Sequence, residues 1–93
     1  MEQSIFEILD EIPTGYVFDS HYIIAQLIKR YSDVYLNFAS SISDCSEKTL
    51  VVHGRIGKEI AKFEPRSISK LENMSWSENI HGNSSQCTAW EKL

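Results

Sequence analysis

The sequence predicts an α+β fold in which a helical N-terminal two-thirds is followed by a C-terminal β-hairpin or small sheet. Three observations carry that reading. Apolar residues recur at helical spacing between residues 5 and 63, capping residues and prolines punctuate those runs, and after Pro65 the pattern changes to short stretches around a turn-rich Glu78–Ser85. Ninety-three residues leave room for one domain, spanning 1–93, with a small core. With 42% hydrophobic and 24% charged residues, the composition is that of a globular chain and not a disordered one.

In chain order, Ser4 and Glu7 fit a capping box, Ile5, Ile8, Leu9 and Ile12 form an apolar stripe behind it, and Pro13 stops the run. Thr14-Gly15 reads as a turn, and Tyr16–Phe18 as a short strand or extended connector. Asp19 or Ser20 caps a second helix reaching about Tyr31, whose wide apolar arc calls for more than one neighbour. Ser32-Asp33 offers a cap for a third helix, with Tyr35, Phe38, Ala39 and Ile42 at helical spacing. The second and third helices are expected to form the core. Ser43–Lys48 is a polar loop.

The stretch from Lys48 to Lys70 holds six of the nine lysines and arginines but two of the thirteen acids. It carries +4 while the rest of the chain carries −8, which gives the net −4. Separated signs of this kind mark the segment where a polyanion would be met. As a helix over 49–63, it turns Val52, Ile56, Ile60 and Phe63 to the core. Arg55, Lys58 and Lys62 then form a basic stripe within about 60° of arc, with Lys48, Arg66 and Lys70 flanking it. Gly54, Gly57 and Ala61 make a third face, where missing side chains would let another backbone approach. Two alternatives stand beside this reading. Residues 50–53 could be a strand with the helix starting after Gly54, and a solvated surface helix would show the same basic face.

Glu64-Pro65 ends that helix near Phe63. Beyond it, Met74 and Trp76 share the parity of Ile80, and Thr88 that of Trp90, so each arm of the predicted hairpin has one apolar-leaning face.

Several function classes find no support. No apolar run approaches the roughly 20 residues of a membrane span, and the acidic start lacks a signal peptide's basic region, so a cytoplasmic protein is expected. Cys45 and Cys87 are 42 positions apart without C-x-x-C spacing, which predicts reduced thiols and no zinc site. His21, His53 and His81 are scattered one per segment. No nucleophile elbow, H-E-x-x-H or other catalytic pattern is present, so neither enzyme activity nor a cofactor is expected. Gly54 and Gly57 look like the second and third glycines of a dinucleotide-binding turn, but the first falls on Val52 and too few residues follow to complete such a sheet.

The order of elements resembles winged-helix DNA-binding domains, in which a helix and a short strand precede a helix-turn-helix and a two-stranded wing closes the chain. The resemblance spans nearly the whole chain and rests on element order and charge placement. It implies a winged-helix-like regulatory or accessory protein that binds nucleic acid, duplex DNA first, with the helix over 49–63 entering the major groove and residues 77–86 as the wing. Arg55, Lys58 and Lys62 would contact phosphates or base edges, and Lys48, Arg66 and Lys70 flanking phosphates. Residues 33–43 depart from the pattern as an extra helix. The acidic remainder of the chain opposes binding, which a homodimer would offset. A second class, a protein-binding adaptor or inhibitor, would use a helix face and the aromatics Trp76, Trp90, Tyr16 and Tyr35.

Overall fold

The computed structural model describes residues 1–93. In chain order the elements are α1 (Glu2–Asp10), β1 (Val17–Asp19), α2 (Ser20–Arg30), α3 (Ser32–Ser40), α4 (Lys48–Ala61), β2 (Ile68–Lys70), β3 (Ser75–Glu78), β4 (Ser84–Cys87) and β5 (Ala89–Lys92). The fold is α+β, with helices leading and strands following. β5 lies between β1 and β2 in an antiparallel sheet, and β3 pairs with β4 in a separate ribbon. Because one residue, Thr88, divides β4 from β5, the β2–β5 and β3–β4 ladders are two halves of one long bent hairpin.

The core explains why these segments are helices. Ile5, Ile8 and Leu9 of α1, Ile23, Ile24 and Leu27 of α2, and Val52, Ile56 and Ile60 of α4 are buried at their helical spacings and meet Phe18, Ile68 and Trp90 of the sheet. Each such side chain contributes about 1.5–3 kcal/mol of transfer free energy. α2 packs against α1, α3 and α4, as its wide apolar arc demands. α3 is different. It has no fully buried residue, and Tyr35, Phe38 and Ala39 lie half-covered on the core's edge. The core is therefore built on α1, α2 and α4, and not on α2 and α3 as their sequence patterns suggest.

The caps explain where the helices begin and end. Asp19 caps α2, its Oδ1 accepting from the Tyr22 N–H at 2.9 Å. α1 begins earlier than its capping-box pattern, because the Ile5 N–H already bonds Met1 O at 3.1 Å and leaves Ser4 buried inside the helix. At its other end Lys92 Nζ donates to Leu9 O at 2.6 Å and Ile12 O at 3.0 Å, a cation at the helix C-terminus that ties β5 to α1. Ser32 and Asp33 lie within α3 and give it no side-chain cap. α4 runs unbroken through Gly54 and Gly57, so residues 50–53 are helix, and neither a strand nor a dinucleotide-type turn.

In the hairpin's outer half the apolar-leaning face is shared as its parity predicts, but it is turned to solvent. Trp76 is 69% exposed and Met74 and Ile80 are also exposed, whereas Ser75, Ser77, Ser85 and Cys87 turn inward. No helix is long and apolar enough to cross a membrane.

Candidate nucleic-acid interface

α4 divides into three faces, as its residue spacing requires. The Val52, Ile56 and Ile60 stripe is buried, and Arg55, Lys58 and Lys62 are exposed on the outward side. The third face, with Gly54, Gly57 and Ala61, does not receive another backbone. A Cβ added at either glycine would meet nothing within 4 Å, and this face instead forms one wall of a cleft of about 580 Å³ opposite the hairpin. Ser20, His21 and Ile24 of α2 and Trp90 of β5 also line the cleft.

Of the six cations, Lys58 and Lys70 open onto this cleft from two different elements. Arg55 is exposed on α4 three residues before Lys58, and Arg66 is exposed in the connection to β2. The charged side-chain groups of Arg55, Lys58, Arg66 and Lys70 have no carboxylate within 4.0 Å. The other two are engaged locally. Lys48 pairs at 2.8 Å with Asp44 in the loop before α4, and Lys62 pairs with Glu59. The Glu59 hydrogen bond raises the Lys62 ammonium above its usual range, with a smaller contribution from Glu2 of α1. Of the six cations the structure therefore brings Lys58 and Lys70 together at the cleft, while Arg55 and Arg66 are exposed outside its lining.

The hairpin wall of the cleft is positioned by polar side chains at the start of α2 and on its cap. His21 shares hydrogen bonds with two facing serines, Nδ1 with Ser77 Oγ at 2.7 Å and Nε2 with Ser85 Oγ at 3.3 Å, and these serines pair across the ladder. Asp19 holds the next position, accepting from Ser75 Oγ at 2.7 Å. Burial alone would raise the Asp19 carboxyl, but hydrogen bonds from Ser75, Tyr22 and Ser77 and the nearby His21 bring it below its ordinary range. On the helical side, His53 Nε2 and the Tyr35 hydroxyl are 2.8 Å apart, joining α3 to α4. Burial, then the charges of His21 and His81, depress the His53 imidazole. Burial likewise raises the Tyr35 phenol.

The three histidines, scattered in sequence, all line the one cleft. The alternation of Ser75, Ser77, Ser85 and Cys87 across two strands was the available sign of a polar inner face. Its partner on α2 had no local signature. No three His, Cys, Asp or Glu side chains come together in a way that could hold a metal ion. Cys45 is exposed in the loop before α4, and Cys87 is half-buried with Sγ 3.9 Å from Ser77 Oγ. Of the four candidate anchor aromatics, Trp90 is buried with Nε1 donating to Ser20 Oγ at 3.3 Å, and Tyr35 is engaged with His53. Trp76 and Tyr16 remain exposed. No protein-family model matches the chain, and neither a curated protein nor a solved structure matches it.

Proposed function

We propose that the protein binds nucleic acid, duplex DNA first, as a regulatory or accessory factor without catalysis. The observation that carries this reading is the outward side of α4, where the Arg55 and Lys58 side chains have no acidic partner and Lys58 lines a cleft that Lys70 also enters. The element order supports it, since the last helix before a terminal hairpin is the one that winged-helix domains place in the major groove. α3 is the departure, an added helix before α4. With Lys48 and Lys62 paired to the chain's own acids, one copy is expected to bind weakly and with strong salt dependence.

Fluorescence anisotropy on mixed-sequence duplexes across a salt series tests the reading. Replacing Arg55, Lys58 and Lys62 with alanine should leave the melting temperature nearly unchanged, because exposed cations contribute little to stability. The same triple change should remove roughly one unit from the slope of log K against log salt for each phosphate that is no longer neutralised. Absence of wild-type binding at low ionic strength would sink the reading. It would favour a protein-binding module, for which one observation speaks: Tyr16, Val17 and Tyr22 are all exposed around a second hollow of about 560 Å³ beside β1. An interface anchored there would lose little affinity as salt rises.

A further inference from the structure

We propose that the cleft between α4 and the β3–β4 ribbon is a binding site for a nucleoside phosphate, either free or as the unpaired end of a nucleic-acid strand. For the strand, the proposal rests on the nucleic-acid reading; it goes beyond that reading in naming what enters the cleft. Size is the first argument. At about 580 Å³ the cleft falls within the roughly 300–1,000 Å³ range of small-molecule sites, so a nucleotide enters where a duplex would rest on the rims.

Charge is the second. Lys58 and Lys70 reach the cleft from α4 and β2, against one lining carboxylate, Glu64. Glu64 is already engaged, its Oε2 accepting from the Lys70 backbone N–H at 2.8 Å. The ionic balance therefore favours an anion, and two lysines without carboxylate partners suit a phosphate.

The third argument concerns the other half of the ligand. His81 in the β3–β4 turn and the Nδ1 edge of His53 on α4 supply imidazole nitrogens that no hydrogen bond within the chain occupies, and Leu50, Met74 and Ile80 supply exposed apolar groups at the same cleft. A base has that double character, with apolar faces and a hydrogen-bonding edge. Gly54 and Gly57 keep the α4 wall bare. Each costs about 1 kcal/mol in a helix relative to alanine, and nothing within the chain occupies the space they leave. A bare wall lets a planar ring lie against the helix.

Gly57→Leu tests this directly, because leucine is the better helix former and its side chain projects into the cleft. Anisotropy would follow three probes: a labelled single-stranded oligonucleotide, that strand in competition with the four nucleoside 5′-monophosphates, and a blunt duplex. In wild type, the single strand should bind and the monophosphates should displace it. Gly57→Leu should melt no lower than wild type yet weaken single-strand affinity about tenfold or more, the scale of unstacking one base, while duplex affinity stays within about twofold. Lys70→Ala gives a second answer independent of helix packing: the monophosphates should no longer displace the strand, while the duplex loses one phosphate contact, read as roughly one unit of its salt slope. Duplex binding without single-strand or mononucleotide binding would overturn the cleft proposal and leave the nucleic-acid reading intact. Mononucleotide binding without duplex binding would support the cleft and sink that reading. Equal competition by a phosphoserine peptide would overturn the assignment of a base.

Discussion

The two halves of the long hairpin are held in place by different forces. In the β1–β5–β2 half, Phe18, Ile68 and Trp90 are buried at 9%, 0% and 2% exposure, and the sheet closes the helical core. In the β3–β4 half no residue is fully buried. Its inner face is three serines and a cysteine, tied to α2 through His21 and to the end of β1 through Asp19. Apolar burial scales with area and is shared among many neighbours, whereas each hydrogen bond nets about 0.5–1.5 kcal/mol. The outer half is thus the part of the molecule that can yield locally, and it is also the part that forms a wall of the cleft.

The largest expected effect tests the apolar half. Ile68→Ala should cost about 2–5 kcal/mol of global stability, read as a shift in the urea midpoint with an unchanged slope. A loss below about 1 kcal/mol would mean that the sheet is not anchored by the core. His21→Ala is the matching cut in the polar half. It removes two hydrogen bonds and should cost about 1–3 kcal/mol. Native-state hydrogen exchange should place that loss in the amides of β3 and β4, with β5 and α2 protected as before. A uniform loss across the chain would erase the distinction between the halves.

Much of the apolar half was legible in sequence and little of the polar half was. The spacing of Ile5, Ile8, Leu9, Val52, Ile56 and Ile60 announces helices and their buried faces directly, since periodicity is a local property. Asp19 as a cap was legible for the same reason. Ser4 and Ser32 misled because a capping residue is recognised by type, and whether a helix starts one turn earlier depends on tertiary packing. α3 misled because its apolar spacing says which side faces inward but not how deeply it sinks. Trp76 misled because parity groups residues on one face without saying which face meets the core. The cleft joins His21, His53 and His81 across 60 positions of sequence, and no local pattern encodes such a meeting.

A smaller effect of opposite sign sharpens the contrast on α4 itself. Gly54→Ala and Gly57→Ala should each raise stability by about 0.5–1 kcal/mol, since neither glycine has positive φ and neither new methyl group meets a neighbour. Thermal melts should show the gain for each change alone and near-additivity for the pair. A loss of stability at either site would mean that the cleft closes on α4 in solution.

Acid titration separates the helical tie from the ribbon tie by pH. His53 has a folded pKa below its ordinary 6.5, because burial and the charges of His21 and His81 oppose its protonation. Between the folded value and 6.5 the unfolded chain binds more protons, so the His53 contribution is full above 6.5 and is lost as pH falls below it. Asp19 also has a folded pKa below its ordinary 3.8, so its contribution is full above 3.8 and is lost only as pH falls through the lower, folded value. The α3–α4 tie should therefore weaken first on acidification, while the Asp19 bond to the ribbon persists. Urea midpoints measured from pH 8 to pH 3 should fall in two stages. His53→Gln should flatten the upper stage alone, and Asp19→Asn should reduce the lower, to which Glu11 and Asp44, held below their ordinary range by Arg30 and Lys48, also contribute. A single stage that both substitutions abolish would show that the two ties titrate as one unit, and the division between the helical part and the ribbon would then not hold in acid.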